Sequence, residues 1–120
     1  MVKDQSRGLD RVFHALAHSA RRQILQRLAD GERNLSQLAA PLRMSFPAAS
    51  KHVRILERAR LVSRRISGRT HLCRIEGQAL EQASKWLENY RRVWQANFQR
   101  LDTLLEKMKT EEASRDTRNP

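Results

Sequence analysis

Acidic residues are in short supply in this chain. Thirteen Asp and Glu stand against 24 Lys and Arg, a formal net charge of +11 over 120 residues. The deficit favours a polyanionic partner, since each phosphate neutralised by Lys or Arg releases condensed counterions. By itself it does not separate DNA from RNA or from an anionic membrane surface. Cysteine is limited to Cys73, which excludes an intramolecular disulfide and suits a reducing compartment. No apolar run is long enough to span a bilayer. Residues 1–8 are polar and charged, unlike a secretion signal, so a cytoplasmic protein is expected. There is no glycine-rich phosphate loop and no glycine-flanked nucleophile, so no enzyme and no cofactor are expected. Internal repeats and Gly/Ser linkers are also lacking, which leaves one domain.

The residues that are present follow helical spacing over most of the chain. Leu9, Val12, Phe13 and Leu16 mark a first helix, and Ile24, Leu25 and Leu28 a second. Ser19 is placed as the cap of the second helix and Gly31 as its left-handed close. A short third helix over 36–42 takes Ser36 as cap and stops near Pro41. After the turn Arg43-Met44-Ser45, Ser45 caps a fourth helix over 46–60, with Pro47 in its first turn. Residues 61–67 and 70–75 alternate as two strands around Gly68-Arg69, a β-hairpin.

The last element has the most regular pattern. Leu80, Ala83, Leu87, Tyr90, Trp94, Asn97, Leu101, Leu104 and Met108 recur in steps of three and four, a seam along a helix of roughly 30 residues. Trp86, Val93, Phe98 and Leu105 widen it. A second copy is the simplest cover for so long an apolar helix. The expected interface comprises Leu9 and Phe13 of the first helix with Leu87, Tyr90, Trp94, Asn97, Leu101 and Leu104. Asn97 either fixes the register of the seam or sits wet where the seam has splayed. The expected organisation is a fraying end at 1–8, one domain over 9–110 with its dimerisation helix at 78–108, and a flexible tail over 111–120.

This order of elements is the layout of a winged helix-turn-helix: mainly α, with a small β-hairpin and a long C-terminal dimerisation helix. A recognition helix must hold its inner stripe in the core and show small or polar groups to the major groove. The fourth helix fits, with Ala49, Val53 and Leu56 inside and Ala48, Ser50, Lys51, His52 and Arg54 outside. Ser45 and the helix N-terminus can meet a phosphate. Between residues 43 and 74 there are nine Lys or Arg and one acid, Glu57. The hairpin brings Arg64, Arg65 and Arg69 near its turn, where they can reach phosphates or the minor groove.

The stretches Ala15-Leu16-Ala17-His18-Ser19-Ala20-Arg21-Arg22-Gln23-Ile24-Leu25, Met44-Ser45-Phe46-Pro47-Ala48-Ala49-Ser50-Lys51-His52-Val53 and Leu56-Glu57-Arg58-Ala59-Arg60-Leu61-Val62 resemble the ArsR-type winged-helix repressors. The resemblance covers about residues 9–108. It implies a bacterial, nucleoid-associated homodimer that binds double-stranded DNA at an inverted-repeat operator and represses its own or a neighbouring operon. Carried over by position, Ser50 and His52 match the family's DNA-contacting pair, and Arg65 and Arg69 its wing. Arg60 stands where the family usually has glycine. Many relatives sense metals. Here the helix before the turn has no Cys or His, and the final helix lacks the Asp and His set, so no metal is expected and the chain falls in a subgroup without the usual ligands. His14 and His18, four apart, make only half a site. Three other readings stay open: a non-specific nucleoid or RNA-binding protein, a protein-interaction module whose amphipathic last helix binds a different partner helix, and a redox-responsive regulator using Cys73.

Overall fold

The computed structural model describes the backbone of residues 2–118 and the side chains of residues 6–115. Met1, Asn119 and Pro120, parts of the two ends expected to fray, lie outside the described residues. The elements in order are α1 (Val2–Leu16), α2 (Ser19–Ala29), β1 (Arg33–Asn34), α3 (Leu35–Ala39), a 3-10 turn (Ala40–Leu42), α4 (Phe46–Arg58), β2 (Val62–Ser67), β3 (Thr70–Ile75) and α5 (Gly77–Arg118). The chain divides into two units, residues 1–84 and residues 85–120, the second carrying the greater part of α5.

The first unit closes around one core. Val12 and Ala15 of α1, Ile24 and Leu28 of α2, Leu35 and Leu38 of α3, and Val53 and Leu56 of α4 meet Leu61, Val62 and Cys73 of the sheet region. Ala83 belongs to this core too and is 2% exposed. It was expected in the seam of the last helix. Its small side chain lets the start of α5 lie close to the core, so its periodic position serves packing within the chain.

Helix ends are set by local hydrogen bonds, and here the expected caps need correction. His18, not Ser19, caps α2, its Nδ1 accepting from the Ala20 backbone N–H at 3.1 Å. Asn34, not Ser36, caps α3, in a capping box. Its Oδ1 accepts from Gln37 N–H, and Gln37 Oε1 accepts from Asn34 N–H. The box is completed by a Gln three residues on, which Ser36 does not have. Ser45 caps α4 as expected, accepting from Ala48 N–H. Gly31 follows α2 with φ of +136°, a conformation closed to most side chains.

The hairpin forms in the expected register, from Val62↔Ile75 to Ser67↔Thr70. Gly68, with φ of +62°, occupies the first central position of the two-residue turn. A third strand was not expected. β1 pairs antiparallel with β3, Arg33 opposite Cys73 and Asn34 opposite Leu72, giving the order β1-β3-β2. Two residues are too few to show a period.

The first and last helices run further than their apolar spacing suggested. α1 starts at Val2, and α5 continues past Met108 to Arg118. Apolar periodicity reports what is buried, whereas the Lys, Glu, Ala and Arg of residues 109–118 continue α5 on propensity.

Candidate nucleic-acid interface

α4 is amphipathic, and its two faces are kept apart. Ala49, Val53 and Leu56 are buried. Ser45, Lys51 and Arg54 are exposed, and Ala48, Ser50 and His52 are half-buried. The outward group expected from sequence is thus accessible around the part of the helix left by the buried stripe, with His52 on the flank toward α2 and Ser50 on the flank toward the hairpin.

His52 is held from behind. Arg21 of α2 is 6% exposed, yet among the described residues it makes no ion pair. Instead its Nε donates to Ala15 O at 2.7 Å and one terminal nitrogen to His14 O at 3.0 Å. Arg22 adds a bond to Leu16 O at 2.7 Å. Two arginines of α2 thus satisfy the orphan carbonyls at the end of α1, where the helix dipole favours a cation. The other terminal nitrogen of Arg21 lies 3.4 Å from His52 Nδ1. The His18 ring sits 4.8 Å from the His52 ring, centre to centre. His14 and His18 do not form a pair on one helix, because α1 ends at Leu16 and His18 faces His52 instead. Burial pushes the His52 pKa down, with His18, Arg21 and Lys51 adding to the effect.

The three arginines of the hairpin have different fates. Arg64 is turned inward, its side chain only 13% exposed. It pairs with Glu57 of α4 at 2.6 Å, and it reaches Ser50 Oγ at 3.5 Å and His71 Nδ1 at 3.3 Å. It braces the hairpin against α4 rather than standing on the tip. Strand alternation carries the reason: Arg64 shares a face with buried Val62 and pairs across with buried Cys73. Arg65 points the other way, 65% exposed, with a 3.4 Å contact to Glu32 that solvent screens. Arg69 is exposed at the turn.

Cys73 is fully buried, and burial pushes its thiol pKa up against a smaller lowering by Arg64. A buried, protonated thiol is a small hydrophobe, the opposite of a reactive one.

In residues 85–115, the large apolar side chains of α5 are exposed. Leu87, Tyr90, Val93, Trp94, Phe98, Leu101, Leu104 and Met108 are all exposed. Trp86, Tyr90, Trp94 and Phe98 form an i, i+4 column, with ring centres 5.3, 5.8 and 5.6 Å apart in succession. Asn97 is exposed like its neighbours. Glu88 and Arg91 pair at 2.7 Å on the same helix.

Known proteins share this arrangement. The family model described as bacterial regulatory protein, arsR family, matches residues 18–64. The HTH-type transcriptional regulator Rv2034 of Mycobacterium tuberculosis is 39% identical over 74 residues, 62% of this chain and 69% of the relative. A crystal structure of an ArsR family transcriptional regulator superimposes with a TM-score of 0.68 at 32% identity, covering 78% of this chain and 93% of the other. The chain belongs to the ArsR family. A further similar structure is the homodimeric winged helix-turn-helix DNA-binding domain Mb0332 from Mycobacterium bovis, with a TM-score of 0.58 at 32% identity over 77% of this chain and 84% of that one. The protein is thus a winged helix-turn-helix transcriptional regulator.

Membership in the ArsR family makes Arg60 instructive. Arg60 adopts φ of +60°, the left-handed conformation that explains the family's glycine. Its N–H donates to Glu57 O at 2.9 Å, and Leu61 N–H donates to Leu56 O at 3.0 Å. This is the Schellman close of a helix, with Arg in the position that favours Gly. Leu61 and Leu56 are both buried in the core, so packing holds the turn despite the side chain. Among the described residues, no group of three or more His, Cys, Asp or Glu is placed to hold a metal ion, and no helix is long and apolar enough to cross a membrane.

Proposed function

We propose that this ArsR-family protein is a homodimeric repressor that occludes a promoter by binding an inverted-repeat operator. The observation that carries this reading is the outward side of α4. Ser50, Lys51, His52 and Arg54 stand above a buried stripe, beside a hairpin that carries exposed Arg65 and Arg69. In the proposed complex α4 enters the major groove, with Ser50 and His52 at base edges and Lys51 and Arg54 on phosphates or bases. Ser45, Ala48 and the N-terminus of α4 lie near the backbone, and Arg65 and Arg69 hold phosphates or the minor groove. Arg64 positions the hairpin rather than touching DNA.

The dimer is formed by the apolar face of α5 in residues 87–104, with Leu9 and Phe13 of α1, against a second copy. Recognition helices of the dimer then fall in successive major grooves about 34 Å apart. Repression of the protein's own or a neighbouring operon follows the family's habit. The release signal in this reading is not a metal at the family's usual positions, because α3 reads Leu35-Ser36-Gln37-Leu38-Ala39 without Cys or His. The protein works in the bacterial cytoplasm, on the nucleoid.

The test is a gel shift of the protein's own upstream region at ~150 mM salt against random duplex. A sequence-dependent shift is expected. Equal affinity for any duplex would instead make this a non-specific nucleoid protein, the reading that charge alone allows. Lys51→Ala should weaken binding to all sequences and reduce the salt slope by about 1.

A further inference from the structure

Two side chains proposed to face the bases are each approached from the protein side by a guanidinium. Arg21 is fixed by its bonds to Ala15 O and His14 O, so its remaining terminal nitrogen is not free to wander. That nitrogen is 3.4 Å from His52 Nδ1. A guanidinium has donors only, so Nδ1 must offer its lone pair. The neutral ring then carries its proton on Nε2. Among the described residues Nε2 has no protein partner, and no buried side-chain nitrogen or oxygen goes without one. Nε2 is therefore open to solvent. Ser50 has a weaker version of the same arrangement. Arg64 approaches its Oγ at 3.5 Å and takes an acceptor position, which leaves the hydroxyl proton free to point elsewhere. Lys51 and Arg54 beside them carry donors only.

We infer that Arg21 is a positioning residue that fixes His52 as a hydrogen-bond donor, so that the outward side of α4 reads acceptors. The inference rests on the proposed docking of α4 in the major groove. Histidine is otherwise ambivalent, because either nitrogen can carry the proton and the other then accepts. Without a fixed tautomer His52 could take an amino proton from cytosine N4 or adenine N6. With Nδ1 occupied by Arg21, an amino group facing Nε2–H meets another donor. Guanine, which offers both O6 and N7 in the major groove, is the base this surface favours opposite His52. His18 does not upset the arrangement, because its own Nδ1 accepts from Ala20 N–H.

The first test needs no DNA. Long-range ¹H–¹⁵N imidazole spectra of the full-length protein at pH 7.5 should show His52 protonated at Nε2 alone. Protonation at Nδ1, or an averaged mixture, overturns the inference even if the protein binds its operator. Arg21→Met should produce that averaged mixture, and Arg21→Lys should restore the single tautomer. A purely structural Arg21 would leave the spectrum unmoved in any variant that melts as a folded protein. The second test is selection from randomised inverted-repeat duplexes. His52→Ala should lose base preference at one position per half-site, and that base should be guanine. Replacing it with 7-deazaguanine should weaken binding on the order of 3- to 10-fold. Preference for cytosine there, or no change with His52→Ala, overturns the inference. Absence of any preferred sequence would sink the docking itself, while the spectra report on the tautomer independently.

Discussion

Residues 6–84 and residues 85–115 bury their apolar side chains to very different degrees. In the first stretch Ile24, Leu35, Leu38, Val53, Leu56 and Leu61 disappear into a core that the chain builds from its own elements. In the second stretch Tyr90, Trp94, Phe98, Leu101 and Leu104 are as apolar and as regularly spaced, and all remain exposed. The same helix, α5, passes through both. At Ala83 it is part of a finished core, and one turn later Leu87 and Tyr90 are exposed. Periodicity records that a face is to be buried. It does not record whether the cover is supplied in cis or by another molecule.

That contrast can be broken experimentally, beginning with the uncovered half. Trp94→Ala combined with Leu101→Ala should weaken self-association by about 4 kcal/mol, on the order of 1000-fold, because buried aromatic anchors dominate interfaces. Sedimentation over a concentration series would reveal it, and an unchanged dimer would remove α5 as the interface. Thermal melts of the double variant should still show a folded residue 1–84 unit. Leu56→Ala strikes the covered half. It should cost about 3 kcal/mol of unfolding free energy, since this α4 side chain is wholly buried in the core. Denaturant titration would check this, and a loss well under 1 kcal/mol would mean the core relaxes around the gap.

Smaller effects sharpen the same picture. Arg60→Gly should stabilise the protein by about 0.5–1 kcal/mol, by relieving a left-handed arginine at the close of α4. A loss of stability on the same titration would mean that the Arg60 side chain contributes more than its backbone costs. The last prediction concerns pH. The His52 pKa in the folded protein lies below its ordinary value of 6.5. Above 6.5 the ring is neutral in both states and contributes no penalty. As pH falls through 6.5 the unfolded chain takes up the proton first, so stability declines until the lower folded value is passed. Wild type should therefore lose more stability between pH 7.5 and 5.5 than His52→Gln. An equal loss would place the acid sensitivity elsewhere.

The division of α4 into a buried and an accessible part is legible in the sequence. The inner stripe Ala49, Val53, Leu56 and the outer group Ser50, Lys51, His52, Arg54 follow from helical spacing alone, and Ser45 caps that helix as its residue type suggests. The hairpin and its turn follow from alternation around Gly68. What escaped was everything joined across long stretches of sequence. Arg21 and His52 are 31 positions apart, and β1 reaches its partner strand with only Arg33 and Asn34. Arg64 does carry a sequence signal for its inward turn, since its place two residues from Val62 puts it on the inward side.

The sequence by itself therefore settled which faces are apolar, where the charge lies and where helices turn, because spacing and residue type act over one or two turns of chain. Only the tertiary structure decided what each polar group does. It bent Arg64 inward to Glu57 and Ser50, and it buried Cys73. It also set Arg21 behind His52, where a donor-only neighbour settles which way a histidine faces. Such roles depend on which groups meet in space, and a side chain's chemistry stays open until its partner is in place.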